Sequence, residues 1–196
     1  MTTILIYFLH SDILIVIDET ESQVPYIDTI QAKILGMCQE VICSPNVDPL
    51  AARFGLIAFR DYQLDDPRVA NAVRAYRFTN DVEALCHTLS TLRAFGGEDG
   101  PEALTPALYN ALTAPWNEDA KKVVIFVTGS SPHVIEDARD DYPHRSPDGT
   151  PVYSISFRNM LIEGVGHNPW DMARHMAEKG IILVLMIRFF WIVVHN

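Results

Sequence analysis

The feature that most constrains the fold is the segment Asp12-Ile13-Leu14-Ile15-Val16-Ile17-Asp18, an unbroken apolar run closed by a carboxylate. A strand with one wet face alternates apolar and polar residues, and this one does not. It reads as a central parallel strand, apolar on both sides, which needs helices above and below the sheet. Its last residue, Asp18, is delivered to the carboxyl edge of that sheet, where open α/β folds bind ligands.

The rest of the chain supplies matching elements. Val24, Ile27, Ile30, Ile34, Met37 and Val41 recur at helical spacing, with Pro25 suited to a first turn. Phe54–Phe59 reads as a second strand, and Val73–Phe78 alternates as an edge strand should. Asn80 with Glu83 resembles a capping box ahead of a stripe of Val82, Leu85, Cys86, Leu89 and Leu92. After Gly96-Gly97, Pro101 is expected to open a helix bearing Leu104, Leu108, Ala111 and Leu112. Lys121–Val127 is another buried strand. Asn168-Pro169 starts a helix through Met172 and Met176 that Gly180 closes, and the strand Ile181–Ile187 follows. Strands alternating with helices predict one α/β domain over residues 1–196 with a mostly parallel sheet. Residues 130–166 form a loop long for such a domain. The apolar tail Phe189-Phe190-Trp191-Ile192 follows the last strand with no turn residue between them. It reads as an extra buried strand, a patch for a partner, or sequence foreign to the domain.

Composition removes several functions. Fifteen Lys and Arg against 25 Asp and Glu give a formal charge of −10, so a basic footprint for nucleic acid or an anionic membrane is absent. Three cysteines without C-x-x-C spacing argue against a disulfide scaffold or zinc finger and for reduced thiols in a cytoplasmic protein. The start lacks the basic residues and the long apolar stretch of a signal peptide. Residues 181–194 are too short a run to span a bilayer and contain Arg188.

Three loops are expected at the carboxyl edge: Asp18-Glu19-Thr20-Glu21-Ser22, Glu98-Asp99-Gly100-Pro101-Glu102 and Thr128-Gly129-Ser130-Ser131. The first two would bring Asp18, Glu19, Glu21, Glu98, Asp99 and Glu102 close together, an arrangement that takes up protons or holds a cation. Hydroxyl and carboxylate oxygens suit a hard ion such as Mg²⁺, Mn²⁺ or Ca²⁺. Asp18, Thr20 and Ser22 alternate, so an extended loop can turn all three toward one ion.

Asp-x-Thr-x-Ser after a buried strand resembles the metal-ion-dependent adhesion site of von Willebrand factor A domains. Gly96–Glu102 resembles the Asp-x-Pro-Glu loop found in the domains of this type in integrin β-subunits, and in those linked to alpha-type protein kinases. Phe54–Asp61, Val123–His133 and Pro169–Ile181 resemble strands and the last helix of that kinase-linked branch. In order, these motifs cover roughly residues 12–185, with a gap. The resemblance implies a three-layer, Rossmann-like fold with one antiparallel edge strand. It implies that Thr20 and Ser22 bind the ion through hydroxyls, with Glu102 where many A domains have threonine. Asp18 would touch the ion directly or through water, with Asp99 beside it. A partner's acidic side chain would complete the coordination, and no bond in the partner would be broken.

Some residues depart from that pattern. Gly129 stands where the family has an aspartate that supports the metal shell, and Glu21 where many members have glycine. Residues 150–166 read as an insertion, residues 188–196 as an atypical tail, and the last helix-strand-helix of the family is missing. The expectation is therefore a truncated or degenerate copy, with the insertion and tail as translated introns or gene-model errors. A metal-free scaffold is the alternative to a working metal site.

Plainer roles stand beside these. Asp18 can cap the next helix, and Asp99 and Glu102 can favour a helix N-terminus. His133 and His144 read as loop residues, Cys38 and Cys86 as core, Trp116 and Trp170 as packing residues, and Glu136–Asp141 as a solvated face. A phosphatase of the haloacid-dehalogenase type needs a second aspartate where Thr20 stands. No P-loop, dinucleotide fingerprint or Ser-His-Asp set appears, so the expectation is a protein without enzymatic activity.

Overall fold

A computed structural model describes residues 10–45, 50–60, 73–96, 101–102, 104–129, 131–132, 169–187 and 190–194. The strands are β1 (Ser11–Asp18), β2 (Ala52–Phe59), β3 (Val73–Thr79), β4 (Pro101–Glu102), β5 (Lys121–Thr128), β6 (Ser131–Pro132), β7 (Ile181–Ile187) and β8 (Phe190–Val194). The helices are α1 (Ile27–Cys43), α2 (Val82–Thr91), α3 (Leu104–Leu112) and α4 (Pro169–Glu178), with a 3₁₀ turn at Glu21–Gln23.

Six strands form one sheet in the order β3-β2-β1-β5-β7-β8. β1 is parallel to both β2 and β5, and β5 is parallel to β7. β3 lies at one edge, as its alternation predicts, and runs antiparallel to β2. The strand order reverses between β1 and β5, which makes their carboxyl ends the switch point at which such sheets bind ligands.

The uninterrupted apolar runs are explained by two cores. Ile13, Ile15 and Ile17 pack under α1 and α2 with Ile27, Ile30, Ile34, Cys38, Leu85 and Leu89. Leu14 and Val16 face the other way, under α3 and α4, with Leu108, Phe126, Met172 and Met176. Each fully buried side chain of this size contributes about 1.5–3 kcal/mol. Phe59 and Phe126 in that second core tilt together with ring centroids 5.2 Å apart.

Local chemistry moved several element ends. α1 begins at Ile27, so Pro25 lies ahead of it and Val24 is exposed. The N-cap of α2 is Asp81, whose side chain accepts from Ala84 N at 3.0 Å, and not Asn80. Pro101 opens no helix: Pro101–Glu102 is a short strand paired in parallel with Ser131–Pro132, and α3 starts at Leu104. Gly180 ends the turn after α4 with φ 68°, as a helix terminator should. The tail pairs antiparallel with β7, Ile187 opposite Phe190, giving a second antiparallel edge beyond the one expected. Cys38 is buried, whereas Cys86 is only partly so. Trp116 packs as expected: Nε1 donates to Ala111 O at 2.9 Å and the ring lies against Phe78. His133, His144, Glu136–Asp141 and residues 150–166 lie outside the described residues, as does the side chain of Trp170. No helix among the described residues is long and apolar enough to cross a membrane.

At the far end of β1, Asp12 is also buried. It accepts from Arg53 Nε at 2.8 Å, Arg53 Nη2 at 2.6 Å and Asn117 N at 2.7 Å. The two carboxylates that bracket β1 therefore differ in role: Asp12 is held by a cation of this chain, and Asp18 faces the switch point.

Candidate metal centre

Asp18 ends β1 with no solvent exposure, and hydrogen-bond donors surround it. Oδ1 accepts from Thr20 N at 2.9 Å and Thr20 Oγ1 at 2.7 Å. Oδ2 accepts from Thr128 Oγ1 at 3.1 Å and Gln23 Nε2 at 3.3 Å. The backbone of Gly129 further favours the ionised carboxylate. A carboxylate offers about four lone-pair sites, so these donors occupy them all. Burial pushes the Asp18 carboxyl above its ordinary value, against the lowering effect of its bonds to Thr20, Thr128 and Gly129. Asp18 does not cap α1, whose N-cap position is Tyr26. It closes an Asx-type turn onto Thr20 instead.

Thr20 Oγ1 gives its proton to Asp18 and lies 3.0 Å from Ser22 Oγ. Gln23 Nε2 donates to Ser22 Oγ at 3.4 Å. The polar groups thus run from the Gln23 amide through Ser22 and Thr20 to Asp18. Thr20 and Gln23 are buried, and Ser22 is exposed at the mouth. The 3.0 Å spacing of the two hydroxyl oxygens fits an octahedral cation. Bonds of about 2.0–2.1 Å at right angles put adjacent ligand oxygens about 2.9 Å apart. Among the described side chains, Thr20 and Ser22 thus have hydroxyl oxygens spaced as an ion would need, and Asp18 holds the hydroxyl of Thr20.

The described flanks of the three loops expected at this edge meet. Phe95 N donates to Glu19 O at 3.0 Å, and Glu21 N donates to Gly96 O at 2.7 Å, which joins the second loop to the first. Gly96 takes φ 74°, a conformation natural to glycine. The pairing of Pro101–Glu102 with Ser131–Pro132 joins the second loop to the third. Glu102 thus lies on a strand anchored to the segment that follows β5, its backbone described and its side chain not. Asp99 and Glu98 lie outside the described residues.

The expected cluster of six carboxylates is not what the described residues form. Glu19 is buried, but it turns away from Asp18 to pair with Arg60 Nη2 at 3.1 Å and with Arg74 Nη2. Its Oε1 accepts from Arg93 N at 3.2 Å. Glu21 is exposed. No group of three His, Cys, Asp or Glu side chains able to hold a metal exists among the described residues. A cleft of about 480 Å³ opens beside it, lined by Ser22, Gln23, Tyr26, Ile30, Thr128 and Met186 among others.

Sequence reasoning misses two contributors. It puts Thr128 in the right loop without a role, and it does not single out Gln23. No local sequence pattern marks Gln23; its place shows only in the structure, where a Cβ at Gly129 would lie 2.7 Å from Gln23 Nε2.

No known family model matches the chain. It is 26% identical over 140 residues to the alpha-protein kinase vwkA of Dictyostelium discoideum. That match covers 70% of this chain and 21% of the kinase, so the chain spans about a fifth of its curated relative. The pilus adhesin SpaC of Lactobacillus rhamnosus GG, in its open conformation, superimposes with a TM-score of 0.62 at 14% identity. The superposition covers 90% of this chain and 24% of the adhesin. Proximal thread matrix protein 1 of the mussel byssus gives a TM-score of 0.56 at 11% identity, covering 90% of this chain and 37% of that protein. These two likenesses concern the fold. Together the findings establish an α/β chain with a mostly parallel sheet, related in sequence to part of a kinase and in fold to part of an adhesin.

Proposed function

We propose that this chain is a von Willebrand A-like protein-interaction module. In this reading it captures an acidic side chain of a protein partner through a divalent cation, Mg²⁺ or, in its place, Mn²⁺ or Ca²⁺. Thr20 and Ser22 hold the ion directly, Asp18 supplies negative charge beside it, and Glu102 and Asp99 are the further metal residues that the resemblance implies. The cation bridges two proteins and no bond is broken, so the module is not an enzyme. The observation that carries the reading is the row Asp18 Oδ1–Thr20 Oγ1–Ser22 Oγ, spaced 2.7 and 3.0 Å at the switch point of the sheet. Kinship with a stretch of an alpha-protein kinase supports a module that serves a larger assembly.

Two observations favour a second reading, a metal-free scaffold. The Gln23 amide already supplies positive hydrogens to Asp18 Oδ2 and Ser22 Oγ, and Gly129 removes a supporting carboxylate, a loss that costs about 10–100-fold in metal affinity. Calorimetric titration with Mg²⁺ and Mn²⁺, beside a Ser22→Ala, Glu102→Ala double variant, separates the two. Binding that disappears in the variant supports the cation bridge. A folded wild type that takes up neither ion leaves the scaffold.

A further inference from the structure

Gln23 and Gly129 are shaped to each other. The Gln23 side chain is buried, and its amide nitrogen stands where a side chain at position 129 would begin, 2.7 Å from an ideal Cβ. Real Cβ atoms essentially never come that close, and among the described residues other than its chain neighbours the atoms within 4 Å of this Cβ belong to Gln23. Any residue larger than glycine at 129 therefore displaces the amide. That amide bridges the two ends of the oxygen row, at 3.3 Å to Asp18 Oδ2 and 3.4 Å to Ser22 Oγ. Both bonds are at the long end of the hydrogen-bond range. The amide can be moved off them at modest cost.

A hydroxyl that accepts a hydrogen bond presents that lone pair to the donor and not to a metal. Ser22 Oγ has a second lone pair, but the Gln23 amide takes the first and turns its positive hydrogens toward the oxygens that a cation would need, so amide and cation compete for the same place. We propose that the Gln23 carboxamide is an internal stand-in for the cation: it holds Asp18 and Ser22 in place when no ion is bound, and an arriving ion must displace it. Gly129 is the space that admits it. The affinity of the site is then set by this competition as well as by the ligands. The inference rests on the cation-bridging reading of the site.

The sign of one substitution separates competition from simple support. A residue that merely positioned Ser22 would weaken ion binding when lost. Under competition, Gln23→Ala tightens Mn²⁺ binding, by about 2- to 10-fold for one ordinary hydrogen bond removed. Gly129→Ala, which pushes the same amide away with one methyl group, tightens it as well. The second readout needs no metal. In chelator, each single variant lowers the unfolding midpoint, and the double variant lowers it no further than Gln23→Ala alone, because the clash requires the glutamine.

Equal or weaker Mn²⁺ binding by both single variants, with the wild type binding, overturns the stand-in and leaves the metal site intact. Additive losses of midpoint in chelator overturn the Gln23–Gly129 contact itself. If the wild type binds no Mn²⁺ while the midpoints remain coupled, the cation reading falls, and competition falls with it. Should Gln23→Ala fail to fold, Gly129→Ala tests the same displacement.

Discussion

Glu19 and Arg60 form a 3.1 Å buried ion pair, Glu19 being 0% and Arg60 7% exposed. Burial lowers the guanidinium pKa from its ordinary value while Glu19 opposes that shift. The Arg60 guanidinium carbon lies 3.7 Å from the centroid of the Phe95 ring, and Phe95 N bonds the carbonyl of Glu19. One carboxylate thus ties the end of β1 to β2, β3 and the segment that carries the second loop. Its neighbour Asp18 is held by hydroxyl, amide and backbone donors instead of by arginine.

Removing Glu19 strands Arg60 as a buried charge. Glu19→Ala is expected to destabilise the fold by about 3–5 kcal/mol, the usual effect of breaking a buried pair from one side. Urea unfolding followed by circular dichroism measures it. A loss under about 1 kcal/mol would place this pair with ordinary surface ion pairs.

Thr20→Val keeps the shape of the side chain and deletes the hydroxyl that donates to Asp18 at 2.7 Å. Asp18 then lacks one donor in a buried place, and stability should fall by about 1–3 kcal/mol. Under the cation reading the variant also loses the rise in unfolding midpoint that Mg²⁺ gives the wild type. A variant that still shows that rise would exclude Thr20 as a ligand.

The thiols should separate by reactivity. Cys43 is exposed, whereas Cys38 is buried and its thiol is pushed up to about 12, chiefly by burial, from an ordinary 9.0. Alkylation at mildly alkaline pH labels Cys43 first and spares Cys38 until the chain unfolds, which peptide mass spectrometry resolves. The folded chain keeps this proton over a range where the unfolded chain has released it. Stability from Cys38 is therefore full below pH 9 and declines from there toward 12. A Cys38→Ala variant should show a shallower alkaline fall. Equal slopes would contradict the raised pKa.

Gly180 has φ 68° and nothing within 4 Å of a Cβ placed on it. Gly180→Ala therefore probes backbone conformation with no steric clash, and about 1 kcal/mol of stability should be lost. The unfolding midpoint reads this directly, and an unchanged midpoint would show that the turn relaxes to a negative φ.

The layers and the place of the site follow from patterns local to the chain. Apolar runs without alternation required strands covered on both faces, helical stripes supplied the cover, and Asp18, Thr20 and Ser22 were legible because their spacing is local. Gly180 and the β3 edge were legible for the same reason, since φ preference and two-residue alternation act within a few residues. The electrostatics come from contacts between distant segments. Glu19 looks equivalent to Asp18 in the sequence, yet Arg74, 55 residues away, and Arg60 turn it from a candidate ligand into a clamp. The roles of Gln23 and Gly129, the β4–β6 pairing and the antiparallel β8 depend likewise on which segments lie side by side. Periodicity reports which face of an element is buried. Which charge meets which, and where a missing Cβ leaves room for an amide, is set only when strands far apart in the chain become neighbours.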